Sequence, residues 1–116
     1  MKETIYFSNL YDYYGKLLTE KQRVYFEDYY FQNLTLQEIS ENYQVSRNAV
    51  HKQLKEVEMK LEFYEEKLRI YKRYIELEKC LEQIDNQKLK AEIKRLIWEW
   101  EYVREDRIYR WQSNKG

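Results

Sequence analysis

Leu34-Thr35-Leu36-Gln37-Glu38-Ile39-Ser40-Glu41-Asn42-Tyr43-Gln44-Val45-Ser46-Arg47-Asn48-Ala49-Val50 is the stretch that decides the fold of this chain. It reads as a helix, a tight turn and the start of a second helix. Leu36 and Ile39 stand three apart on one face of the first helix, and Val45 is the apolar residue of the turn. Ser46 is a good N-cap, because its hydroxyl can accept from a free backbone N–H of the next turn. Val50 and Leu54 then return to the core at helical spacing. The pattern is that of a helix-turn-helix, a common device for placing a helix in the DNA major groove. The same unit also serves as a protein–protein module.

Upstream, residues 3 to 17 form a helical segment on which Ile5, Leu10, Tyr13, Tyr14 and Leu17 can share a broad apolar face. Thr19 caps a second helix, with Gln22 where a capping box wants Glu or Gln, and Leu18 before the cap can act as a staple. Val24, Tyr25, Tyr29 and Tyr30 are that helix's expected buried face. Gln32 and Asn33 supply a turn. Thr35 and Glu38 then repeat the capping box at the head of the helix-turn-helix.

Downstream, Val50, Leu54, Val57, Leu61, Tyr64, Leu68, Tyr71 and Ile75 follow at alternating spacings of four and three. That regular heptad seam predicts one long helix. Leu61, Tyr64, Leu68, Tyr71 and Ile75 are expected to form a bundle or dimer seam, because such a stripe cannot be buried by its own helix. The seam shifts phase to Leu77, Leu81 and Ile84, and Asp85-Asn86 marks a break. Leu89, Ile93, Leu96, Trp100 and Val103 make a last stripe, expected to fold back antiparallel on the long helix. The tail keeps Ile108 and Trp111 among many Arg.

The totals agree with an all-α chain. There is no Pro, and Gly15 and Gly116 are the two glycines in 116 residues. Charged residues make up 36% and aromatics 17%, too aromatic for disorder and too charged for a membrane protein. The net charge is zero, from 21 basic and 21 acidic residues, so any nucleic-acid contact depends on local charge. Residues 1 to 43 carry 4 basic and 7 acidic side chains, a net of −3. Residues 44 to 61 carry 4 and 2, a net of +2, with His51 in addition. The second helix of the helix-turn-helix is therefore the basic patch. On the face opposite Val50 and Leu54 it carries Arg47, Asn48, His51, Lys52 and Lys55 as candidate nucleic-acid-binding residues. Arg suits guanine and Asn suits adenine, each through a two-pronged hydrogen bond, while Lys52 and Lys55 suit phosphates. The plain alternative is an ordinary solvated helix face.

Other chemistry finds little footing. Cys80 is the single cysteine, which fits a reducing, cytoplasmic setting and is expected to pack as a small apolar residue. His51 and Cys80 stand too far apart on one expected helix to share a metal. The chain has no Gly-rich phosphate loop and no nucleophile–histidine constellation, so no cofactor and no enzymatic activity are expected. No apolar run reaches transmembrane length, and the N-terminus lacks a signal-peptide core. Thirteen tyrosines could stack bases, but eight lie in residues 1 to 43, mostly on apolar helix faces, where core packing is the better explanation.

Several of these motifs also carry a resemblance. Leu18-Thr19-Glu20-Lys21-Gln22-Arg23, Tyr29-Tyr30, Leu36-Gln37-Glu38-Ile39-Ser40, Val45-Ser46-Arg47-Asn48-Ala49-Val50 and Glu62-Phe63-Tyr64-Glu65-Glu66-Lys67-Leu68 resemble, in order and spacing, the YlxM family of small bacterial helix-turn-helix proteins. The match covers roughly residues 5 to 75. The helix-turn-helix portion is similar to region 4 of bacterial sigma factors, the part that reads an upstream promoter element. After Val50 the chain departs from the family's usual Tyr-Asp-Asn with His51-Lys52-Gln53, which makes this helix more basic. The resemblance implies an all-helical fold and, from the fold, DNA binding. It also implies a link to the signal recognition particle pathway, because genes of the family commonly lie beside that of its GTPase.

The expected architecture is thus a single all-α domain spanning 1–116. A helix-turn-helix core of the sigma-70 region 4 type occupies 19–56, and a long helical hairpin with the C-terminal helix occupies 57–112. The leading expectation is a DNA-binding regulator acting as a cytoplasmic homodimer. The alternative is an accessory protein that binds the GTPase or the RNA of the signal recognition particle. A third is a dimerising scaffold without nucleic-acid contact.

Overall fold

The computed structural model describes residues 3–97, and among them every regular element is helical. In chain order these are α1 (Thr4–Tyr14), α2 (Glu20–Phe26), α3 (Leu36–Tyr43), α4 (Arg47–Leu68) and α5 (Ile70–Glu82). A helix over residues 87–97 follows, here α6. The chain forms two compact units, residues 1–75 and 76–116.

The helix starts are set by local hydrogen bonds. Thr19 Oγ1 accepts from the Gln22 amide and Gln22 Oε1 accepts from the Thr19 amide, the reciprocal capping box. Thr35 and Glu38 repeat it at α3. Ser46 Oγ accepts from the Ala49 amide at the head of α4, and Asn86 Oδ1 accepts from the Leu89 amide at the head of α6. The first three starts were expected from the sequence, and at the fourth the sequence marked a break at Asp85-Asn86.

The first unit holds two apolar clusters on one helix. The N-terminal half of α4 contributes Val50 and Leu54 to a cluster with Tyr25 and Ile39, flanked by Leu34, Leu36 and Val45. Its next turns contribute Val57 and Leu61 to a second cluster with Phe7, Leu10, Tyr14, Leu18, Phe26 and Tyr30. Tyr25 and Phe26 are neighbours in sequence, yet each is buried in a different cluster. That explains why Phe26 falls outside the expected single apolar face of α2, and why Val24 and Tyr29 are only half-buried. Phe26 lies between the rings of Tyr11 and Tyr30, with centroids 4.4 and 4.3 Å away. A π-helical turn at Glu27–Phe31, closed by the Gln32 amide on the Glu27 carbonyl, ends this segment.

Several expectations are corrected. Ile5 is 80% exposed, because α1 packs through Phe7, Leu10 and Tyr14 instead. Leu17 is exposed as well, since a tight 3₁₀ turn at Gly15–Leu17 rotates it outward and buries Leu18. The long helix is not continuous. It ends at Leu68, where Arg69 adopts a left-handed conformation with φ 55°, and α5 starts at Ile70. Along the expected seam Leu61 is buried, while Tyr64 and Tyr71 pack against the aromatic cluster. Ile75 is half-buried and Leu68 is 46% exposed.

In the second unit Leu81 is buried and Cys80 is exposed, contrary to the expected burial of the thiol. Leu89 and Leu96 are exposed, whereas Lys90, Ile93 and Ile97 are half-buried. The expected positions Trp100, Val103, Ile108 and Trp111 lie outside the described residues, as does the remainder of the expected returning arm to 112.

Candidate nucleic-acid interface

The helix-turn-helix is α3, its turn and the start of α4. The turn has a physical signature at its left-handed residue, Gln44, with φ 55° and ψ 44°. The Gln44 amide donates to the Glu41 carbonyl, and the Val45 amide donates to the Ser40 carbonyl. That is a Schellman closure, which satisfies the last carbonyls of α3 and delivers Val45 to the core. Ser46 then starts α4, so Arg47 and Asn48 are its first two helical residues. Their N–H groups lie ahead of the first intrahelical bonds, at the positive end of the helix dipole.

Arg47, Asn48, His51, Lys52 and Lys55 are all exposed. They share the side of α4 that faces away from the fully buried Val50 and Leu54. Arg47, His51 and Lys55 stand four apart, as do Asn48 and Lys52, so the five form two neighbouring rows of one stripe. None of the five side chains forms a hydrogen bond or ion pair with another described residue. The fold therefore brings together all five residues singled out by the sequence.

The surroundings bound the stripe. On α3, Glu38 is engaged in its capping box and Glu41 Oε1 accepts from Gln37 Nε2. At the far end of the stripe a shallow groove of about 270 Å³ is lined by Glu3, Phe7, Lys55, Glu58, Met59 and Glu62. Three of those six are carboxylates, which disfavour phosphate. Burial lifts the Glu58 carboxyl above its ordinary value, against the pull of the hydrogen bond donated by Tyr30 Oη at 2.6 Å. The basic surface is thus confined to the first three turns of α4.

One positioning element escaped the sequence reading. Gln22 is buried, and its Oε1, already the cap acceptor of α2, also accepts from Lys60 Nζ at 3.1 Å. Its Nε2 lies 3.5 Å from Gln53 Oε1. A single amide thus ties the start of α2 to two turns of α4. The capping-box signal at Gln22 was visible, but its long-range partners were not.

A capped helix-turn-helix carrying an exposed basic stripe defines the class: an all-helical helix-turn-helix protein. The chain belongs to the UPF0122 family, described as "Putative helix-turn-helix protein, YlxM / p13 like", whose model matches residues 1–99. The match reaches beyond the residues that carried the resemblance in the sequence and takes in α6. The chain is 49% identical over 80 residues to a UPF0122 protein of Caldanaerobacter subterraneus subsp. tengcongensis, covering 69% of this chain and 68% of the relative. It is 45% identical over 84 residues to one of Oceanobacillus iheyensis, covering 72% and 80%. A Bacillus cereus relative is 41% identical over 106 residues, covering 91% and 88%. No described helix is long and apolar enough to cross a membrane.

Proposed function

We propose that this protein is a DNA-binding regulator of the cytoplasm that reads duplex DNA through Arg47, Asn48, His51, Lys52 and Lys55. The observation that carries the reading is the separation of faces on α4. Its inner face is fixed in the helix-turn-helix core, and its outer face presents five unpaired donors from the helix N-terminus onward. Arg47 and Asn48 approach base edges, and Lys52 and Lys55 hold phosphates. With two lysines on phosphates, log affinity falls with log salt at a slope of about −2. That modest term suits a chain of zero net charge, whose affinity must come from base contacts at a specific site.

A second copy is the proposed partner. Exposed Met59 and Phe63, four apart on one side of α4, and exposed Leu68 on another side give the helix apolar surface that the described residues leave open. A twofold pair would present two recognition helices to successive grooves. Sedimentation at tens of micromolar showing a 14.7 kDa monomer would remove the dimer from this proposal.

The test is fluorescence anisotropy of labelled duplex DNA, at low and moderate salt, with the RNA of the signal recognition particle run beside it. Duplex binding should be salt-sensitive. Lys52→Ala should weaken it on all sequences and lower the slope by about 1, while Arg47→Ala relaxes selectivity at one base pair by about 1–3 kcal/mol. Binding of RNA alone, or binding indifferent to both substitutions, defeats the DNA reading and favours the accessory role in the targeting pathway.

A further inference from the structure

The break at Arg69 has no ordinary cause. Helices break at Pro or Gly, yet the chain has no Pro and no Gly between Gly15 and Gly116. The residue in the left-handed conformation is an arginine, which has no intrinsic preference for it. The heptad seam runs through the break without a change of phase, from Leu61 and Tyr64 to Leu68, Tyr71 and Ile75. The local sequence therefore writes a continuous helix where the folded chain has a bend.

The bend frees three backbone donors. In a continuous helix the amides of Ile70, Tyr71 and Lys72 would bond to the carbonyls four residues back. Here all three find side-chain acceptors instead. The Ile70 amide donates to Tyr14 Oη at 3.1 Å, and the Tyr71 and Lys72 amides donate to the two oxygens of Glu65 at 3.1 and 3.0 Å. Tyr14 Oη in turn donates to Glu65 Oε1 at 2.6 Å, which locks the pair into one unit. On either side of the bend the ordinary ladder holds, from the Arg69 amide to the Glu65 carbonyl and from the Arg73 amide to the Arg69 carbonyl. Tyr71 is also held by α1, where its hydroxyl accepts from Asn9 Nδ2 and its ring meets Tyr6 and Tyr13.

We infer that the α4–α5 junction is a two-position joint, latched in the bent position by the Tyr14 hydroxyl and the Glu65 carboxylate, with one continuous helix from Arg47 through Ile75 as its other position. The two positions exchange like for like. Straightening replaces three latch bonds by three ladder bonds, relieves the left-handed arginine and brings Tyr71 and Ile75 into line with the stripe of Leu61, Tyr64 and Leu68. It gives up the seat of Tyr71 on α1. Because Tyr14, Asn9, Tyr6 and Tyr13 all belong to α1, any partner that displaces α1 also releases the joint. The inference does not depend on DNA binding.

Pulsed electron spin resonance on labels at positions 59 and 73, in a Cys80→Ser chain, reads the joint directly. Both positions are exposed. A continuous helix places their backbones about 21 Å apart, and the bent joint places them closer. The parent and Arg69→Gly, which is at ease in the left-handed conformation, should show the shorter distance alone. Arg69→Ala should add the longer population, and Arg69→Ala with Tyr14→Phe should make it dominant, with helical circular dichroism kept. If that double variant keeps the parental distance, the joint has one position and the inference fails. It fails equally if the distances broaden while helical signal is lost, since α5 then merely frays.

Discussion

The two halves of α4 are packed on different principles. The N-terminal half sits on a mostly aliphatic cluster built round one tyrosine, Tyr25, and closed by local caps at Thr35 and Ser46. The C-terminal half sits in stacked aromatic rings whose hydroxyls reach across the chain, Tyr30 to Glu58 and Tyr14 to Glu65. The polar bonds that close the first half, at its caps, run to amides three residues on, while those of the second reach partners 28 and 51 residues away. The lesson is a division of labour. The short-range half fixes the shape of the helix-turn-helix, and the long-range half decides where α1 and α5 dock.

Removing the centre of the ring stack tests this most severely. Phe26→Ala takes out a fully buried ring between Tyr11 and Tyr30 and should cost about 3–5 kcal/mol in denaturant unfolding. Hydrogen exchange in the same variant should accelerate in α1 before α3. Equal acceleration in both would mean that the two halves are one cooperative unit.

Alkaline pH separates the halves more gently. Burial, with the hydrogen bond to Glu65, pushes Tyr14 up to about 12, and burial with the Glu58 bond raises Tyr30 further. The unfolded chain ionises these hydroxyls near 10, the folded chain later, so the unfolded state holds fewer protons in that window. Stability is therefore intact below pH 10 and falls as pH rises toward 12. Thermal melts across that range should show the fall, and Tyr14→Phe should reduce it. A fall unchanged in that variant would move the effect to other tyrosines.

The smallest expected effect lies in the turn. Gln44→Gly removes the strain of a left-handed side chain but adds freedom to the unfolded state, for a net gain of about 0.5 kcal/mol. A loss on melting would show that the Gln44 side chain carries an interaction that offsets its conformation.

How far the sequence reveals the fold follows the same division. The caps at Thr19, Thr35 and Ser46 were legible because donor and acceptor lie within three residues of each other. The five stripe residues were legible because Val50 and Leu54 fix the phase of α4. The burial of Phe26 was not, since periodicity assumes one buried face and α2 has two. The bend at Arg69 was not, since the Glu65 carboxylate that takes two of the freed amides acts together with a tyrosine on α1, 51 residues away. The exposure of Cys80 was missed because its apolar character outweighed the phase set by Leu81.

Because α4 belongs to both clusters, it behaves as a rigid beam clamped along its length. Its 22 residues make it about 33 Å long. A tilt of about 5° around its middle would move each end by about 1.4 Å, and a base-edge hydrogen bond tolerates only about 0.5 Å. In the proposed DNA complex the aim of Arg47 and Asn48 would therefore be set at the other end of the beam as much as at their own. Residues that never approach a ligand, Phe26 and Tyr30 among them, act as its sighting adjustment.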